Sequence, residues 1–364
     1  MTVPNAGEAV DDIDEVAELL AEARLRRPNN APHDRFLTSY KARMLYKSEI
    51  LRPPAVHGVK DAVDLHCHAH EGQQDALSIA KLASASGMKG LLFKSMPGMN
   101  RPELSGPAEA VRAVEGPLRR WADEMEIEPV RLWPGWICTD TRGLPMLEAA
   151  RAQLATGISA IWLPVFRSAN TLSKVGGKAI WFDKDADPTA WSDPLPWEKA
   201  LEVGNYTLDE HGALKPEYRE LFRMAADHDV MISFAHATHR EIEAMAEQVR
   251  ELNITKAVVD HPFSPFLDLS TAQMKELASA GVYLNFTYDE ISPLLGVDPA
   301  VMCRTIQEIG TDQVTLSSDA GEPLFPNTVE ALRLLIAHMR AFGLTEEEIH
   351  EVSSVNPSKV LNAV

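Results

Sequence analysis

Eight short apolar runs recur along this chain at a spacing that few folds can accommodate. They are AVDLHCH (62–68), GLLFKSM (90–96), EPVRLWPGWIC (128–138), ISAIWLPVF (158–166), VMISFAH (230–236), KAVVDHP (256–262), GVYLNFTYD (281–289) and QVTLSSDAG (313–321). Each is rich in β-branched or aliphatic residues, and longer helical patterns separate them. Successive starts lie 28, 38, 30, 72, 26, 25 and 32 residues apart. A (β/α)8 barrel of roughly 250 residues allots about 30 to each unit, so all the intervals but the 72-residue one fit. Strands this uniformly apolar belong to a parallel sheet covered by helices. The expected fold is therefore α/β, a (β/α)8 TIM barrel over 61–364, with an N-terminal helical extension at 1–60 and a long insertion after strand 4.

The long interval holds the Pro-, Trp- and Asp-rich stretch WFDKDADPTAWSDPLPWEK, and 167–213 is expected to form a lid-like loop on the C-terminal face of the barrel. In the first 60 residues, Ile13, Val16, Leu19, Leu20 and Ala23 recur at helical spacing, with acids early and Arg24, Arg26 and Arg27 late, the order that suits a helix dipole. A break at 28–32 precedes a second helical stretch through Tyr40 and Tyr46, which ends before Pro53. The reading is a packed arm or a subunit contact, and a homo-oligomer is expected.

Charge and composition narrow the function. With 35 basic and 53 acidic residues the net charge is −18, which repels phosphate backbones and argues against a nucleic-acid partner. No apolar run reaches the ~20 residues needed to span a bilayer, and the acidic first residues lack the order of a signal peptide. The cysteines Cys67, Cys138 and Cys303 are odd in number and far apart, so no disulfide framework is expected. These features point to a cytoplasmic protein acting on a small molecule.

The chemistry-bearing residues fall at the ends of the runs, where barrel active sites are built. His66 and His68 are two apart and share one face of a strand, Cys67 facing the other way, which makes a two-point metal grip. His70 and Glu71 follow as loop residues. His236 ends the fifth run, His261 the sixth and Asp319 lies near the end of the eighth. Any one of these histidines taken alone reads as a core residue. All of them at strand ends, with an aspartate, match three or four ligands around one or two divalent ions that keep open positions for water and substrate. Arg167 past strand 4, and Asn285 and Tyr288 after strand 7, are candidate substrate contacts. Trp133 and Trp136 read as packing, His239 as part of the next helix start, and Glu322 as a possible contact of substrate or loop.

DLHCH on the first strand, single histidines on the fifth and sixth, SSDAG on the eighth and a closing VNPSKVLN together resemble the amidohydrolase superfamily of metal-dependent hydrolases. The resemblance covers 60–364. It implies that His66, His68 and Asp319 hold a more buried metal and His236 and His261 a more exposed one, with Asp319 also the base that takes a proton from metal-activated water. Zinc is the first expectation and manganese the second. One departure matters. Many binuclear members bridge their metals with a carboxylated lysine at the end of strand 4, whereas this strand ends ISAIWLPVF. Lys94, on strand 2, is the residue that could replace it as a metal-bridging carbamate. Alternatively it grips a substrate carboxylate as a cation, or forms a structural ion pair.

The first functional expectation is hydrolysis of an amide or cyclic amide C–N bond: water is activated at the metal, Asp319 carries the proton, and the ion polarises the carbonyl. The alternative is decarboxylation of an aromatic or unsaturated acid. A phosphoesterase of the polymerase-and-histidinol-phosphatase type is disfavoured by the acidic chain and the strand count, and a non-catalytic binding scaffold is the remaining class.

Overall fold

In the computed structural model the described residues are 58–69, 75–95, 106–141, 143–176, 193–321 and 325–362. The N-terminal arm up to residue 57, the loop residues His70, Glu71 and Glu322, and the middle of the 167–213 segment lie outside them.

Every apolar run contains a strand: β1 (Val63–His68), β2 (Gly90–Ser95), β3 (Arg131–Ile137), β4 (Ala160–Trp162), β5 (Met231–Ser233), β6 (Ala257–Asp260), β7 (Tyr283–Thr287) and β8 (Val314–Ser317). All are parallel, and each is hydrogen-bonded to the next in chain order. β8 returns to β1 through a parallel bridge between Cys67 and Ala320. The Asp319 N–H also donates to His66 O (2.8 Å) and the His68 N–H to Ala320 O (3.0 Å). The sheet is thus a nearly closed (β/α)8 barrel.

Helices α1 (Ala76–Ala85), α2 (Pro107–Met125) and α3 (Met146–Thr156) follow the first three strands. After β4 come α4 (Ala169–Lys174), α5 (Trp197–Val203) and α6 (Pro216–Asp227). The second half adds α7 (His239–Leu252), α8 (Thr271–Ser279), α9 (Tyr288–Ile291), α10 (Pro299–Ile309), α11 (Thr328–Ala341), α12 (Glu346–His350) and α13 (Asn356–Val360). Their boundaries follow from side-chain chemistry. Thr238 with Glu241 and Ser270 with Gln273 form capping boxes that start α7 and α8 by satisfying orphan N–H groups reciprocally. His239 is the first residue of α7, and its ring nitrogens bond Leu267 O and the Gln273 amide, so the helix-start reading holds.

Inside the barrel, bulky side chains fill the space that a smaller residue opposite leaves. A Cβ on Gly135 of β3 would sit 2.3 Å from the Trp162 ring, so glycine is required for Trp162 to lie flat across the interior. Trp133 and Trp136 are buried. Trp133 covers Gly90 and stacks with Arg131, so both tryptophans pack as expected. The C-terminal Asn-Pro-Ser-Lys motif serves as an anchor. The Asn356 amide donates to Thr311 O (2.8 Å) and Val314 O (3.0 Å), clamping α13 beneath the start of β8. Among the described residues no helix is long and apolar enough to cross a membrane.

Candidate metal centre and active site

The HxH pair behaves as strand alternation requires. His66 and His68 face the barrel interior, while the thiol of Cys67 turns outward to donate to Leu92 O (3.3 Å). Across the seam, Asp319 Oδ1 lies 3.1 Å from His66 Nε2 and 3.1 Å from His68 Nε2. One ligand atom from each of the three residues falls within 4.8 Å of the others. Two ligands about 2.1 Å from one ion and roughly 90–110° apart are separated by about 3.0–3.4 Å, so the 3.1 Å spacings fit a common cation. His66 is fully buried, and neither of its ring nitrogens makes a well-directed hydrogen bond. An ion at the focus would satisfy the orphaned Nε2. These residues fit a divalent metal.

His261 and His236 form the other side of the cluster. His261 Nε2 is 4.0 Å from Asp319 Oδ2, and its ring centroid is 5.1 Å from that of His236. The His236 ring stacks on Phe266 at 4.1 Å and 10°. Burial pushes His68 down to about 3 and His261 down to about 4, with His236 also well below the ordinary imidazole range. All three are therefore neutral at neutral pH, the form that ligates metal. Burial opposes ionisation of Asp319, but His66, His68 and Lys94 outweigh it and hold the carboxyl well below the usual range.

Three strand ends depart from regular geometry. Ala235 (φ 47°), His261 (φ 38°) and Asp319 (φ 43°) are non-glycine residues in the left-handed region. Such conformations cost energy and persist only where surrounding structure holds them. Here each turns the chain at the point where a ligand-type side chain enters the cluster.

Asp260 was not among the residues singled out from the sequence, yet it organises the floor of the site. Its Oδ2 accepts from Trp162 Nε1 (2.8 Å) and Ser233 Oγ (2.6 Å). Its Oδ1 accepts from Asn285 Nδ2 (2.7 Å) and lies 3.1 Å from His66 Nδ1. The carboxyl is ionised: burial would raise it, but His66, Lys94 and His261 draw it far below the usual range. The carboxylate beside Nδ1 favours the proton on that nitrogen, which leaves Nε2 with its lone pair toward Asp319.

Thr171, on α4, does the equivalent for His236. Its Oγ lies 2.9 Å from His236 Nδ1 and donates to Val165 O (2.9 Å). With that proton spent on the carbonyl, the hydroxyl accepts from His236 Nδ1–H, and Nε2 keeps a free lone pair. The neighbouring Asn170 amide bonds the carbonyls of His236, Ala237 and Phe266 at 3.3, 3.1 and 2.7 Å. α4 thus clamps the loops after β5 and β6.

The expected substrate contacts are placed differently. Asn285 is not past strand 7 but within it, paired in register with Asp260 and fully buried. Its amide is spent on Asp260, and its carbonyl accepts from Thr315 Oγ1 (2.9 Å). It therefore supports the floor of the site. Arg167 is exposed, and its backbone carbonyl accepts from the Asn205 backbone N–H (2.7 Å). Tyr288 opens α9, half-buried, edge-to-face with Phe325 at 6.1 Å. Lys94 is buried amid the cluster, its Nζ 5.8 Å above the Trp162 ring centroid. Among the described residues it forms no ion pair.

The sequence profile of a family of unknown function, DUF6282, matches residues 61–285. The chain belongs to that family. No curated protein matches it. Among solved structures, an amidohydrolase from Pseudomonas aeruginosa superimposes with a TM-score of 0.53 at 12% identity, covering 85% of this chain and 97% of that one. This likeness establishes a shared fold. The probable dipeptidase PvdM from Pseudomonas aeruginosa gives 0.49 at 14% identity, over 85% and 97% of the two chains. A 2,6-dihydroxybenzoate decarboxylase from Rhizobium gives 0.44 at 11%, over 83% and 99%.

Proposed function

We propose that this DUF6282 chain is a metal-dependent enzyme of the amidohydrolase superfamily that hydrolyses an amide or cyclic amide C–N bond of a small molecule. The observation that carries the reading is the convergence of His66, His68 and Asp319 on one focus at the C-terminal end of the barrel, with 3.1 Å between each histidine nitrogen and the shared carboxylate oxygen. The superfamily's ligand order and the fold shared with the P. aeruginosa amidohydrolase support it.

His66, His68 and Asp319 would hold the ion, zinc first and manganese second, and His236 with His261 would complete an outer position. A bound divalent ion supplies Lewis acidity and lowers the pKa of coordinated water. Asp319 keeps Oδ2 directed away from the two β1 histidines, where it can accept a proton from attacking water and return it to the leaving nitrogen. Asp260 and Thr171 hold His66 and His236 in the tautomers that expose Nε2. Phe266, Phe166 and Trp162 form apolar walls around the rings and limit bulk water.

Decarboxylation of an aromatic or unsaturated acid is the competing reaction, favoured by the buried Lys94, which has no ion-pair partner among the described residues. Metal analysis combined with a panel of small amides, cyclic amides and aromatic acids tests both readings. Stoichiometric metal with amine or ring-opened acid released supports hydrolysis, and CO2 release supports the alternative. Asp319→Asn should fold normally yet lose on the order of 10²–10⁴-fold in turnover, because an amide is a poor base. A mutant with near-normal turnover would remove Asp319 from the mechanism.

A further inference from the structure

We propose that Lys94 is the receptor for an anionic group of the substrate, a carboxylate carried next to the atoms that react at the His66–His68–Asp319 focus. The inference rests on the metal-dependent reading above and narrows it to monoanionic acids, such as an acylated amino acid or an amide that also carries an aromatic carboxylate.

Two lysines in this protein are buried to the same degree, each 5% exposed, and they are treated in opposite ways. Lys256 is fully engaged: its Nζ lies 2.7 Å from Asp229 Oδ2 and donates to Asp229 O at 2.8 Å. Lys94 has neither an ion pair nor a hydrogen bond to any described residue, and its Nζ lies 5.8 Å from the Trp162 ring centroid. A buried ammonium without a partner is costly, and folded chains rarely keep one unless something else supplies the missing oxygens. Neither carboxylate of the described cluster pairs with it. Both oxygens of Asp260 are taken by Trp162, Ser233 and Asn285, and Asp319 Oδ1 faces both β1 histidines. The Trp162 ring beneath Nζ lies 5.7 Å from the His66 ring and donates to Asp260, which places Lys94 on the cluster side of the barrel.

The charge balance selects the ligand class. One ammonium beside the ionised Asp319 suits a single negative charge; a phosphate dianion would require further donors and would meet that carboxylate. The aromatic walls at Trp162, Phe166 and Phe266 suit a planar or apolar body attached to the carboxylate.

The test titrates full-length protein with benzoate and with benzamide, its neutral isostere, by calorimetry, alongside zinc per chain and melting temperature, for the wild type, Lys94→Met and Lys94→Arg. Expected results are a wild-type preference for benzoate, at least about a tenfold loss of benzoate affinity in Lys94→Met with benzamide unchanged, and partial recovery in Lys94→Arg. Zinc content stays unchanged, and melting is no lower than in the wild type. Equal wild-type affinity for the two probes, or a benzoate preference that survives in Lys94→Met, overturns the proposal. Zinc lost from Lys94→Met also overturns it, because the residue would then belong to the ion's ligand set as a carbamate; a lowered melting temperature overturns it by showing a structural role. A wild type that takes up no zinc refutes the metal-dependent reading separately, and the same pair of titrations on metal-free protein still decides Lys94.

Discussion

Asp260 shows how much one buried charge can organise. It joins side chains from β4, β5 and β7 and sits against His66 on β1, so its loss should be felt at the metal and in the fold separately. Asp260→Asn keeps the volume but removes the anion behind His66; metal affinity should fall about 10–100-fold with cooperative melting retained. Asp260→Ala leaves its donors unpaired as well and should cost about 3–5 kcal/mol by denaturant unfolding. The sequence hid this residue for a physical reason. In VVDHP two metal-competent neighbours stand side by side, and strand alternation lets only one face the interior. The left-handed backbone at His261 breaks that alternation, so Asp260 points inward from the strand and His261 points inward from the turn. His66, His68 and Asp319 were legible because alternation and strand-end position alone bring them together. Asn285 was misplaced because the reading ended β7 a few residues before Thr287, where the strand stops.

Among the elements, the strands were legible because burial on both faces writes a continuous apolar run, and all eight appear where those runs are. The short helix α4 was not. Its contact with His236 spans 65 positions in sequence, and no local pattern encodes a pairing that distant. Its role can be isolated at Thr171. Thr171→Val removes the hydroxyl and strands His236 Nδ1 in a buried setting, which should cost about 1–3 kcal/mol and shift the His236 ring ¹⁵N resonances, whereas Thr171→Ser should restore both. A second element-level constraint is the approach of β3 to the Trp162 ring. Gly135→Ala forces the indole away from Asp260 and should destabilise by about 1–3 kcal/mol. A variant as stable as the wild type would show that Trp162 can move freely.

For the whole molecule, the site straddles the seam of the barrel. His66 and His68 come from the first strand and Asp319 from just beyond the last, and the loop that carries it also makes the backbone hydrogen bonds that shut the sheet. Stripping the proposed metal with a chelator should therefore lower the melting temperature by several degrees, since a ligand at 100 times its Kd contributes about 2.7 kcal/mol to the folded state; adding zinc back should restore it. His68 and Asp319 are 251 positions apart in the chain, so an ion held between them closes a loop nearly as long as the barrel itself, like a reversible cross-link. That separation also has a meaning in time. During synthesis the histidine pair is made first and waits while seven further strands are added before its acid partner exists. A nascent chain shorter than Asp319 lacks the oxygen that both β1 histidines face. The proposed three-residue site is thus complete only when translation has delivered the last strand, and uptake of an ion there would report that the barrel is closed.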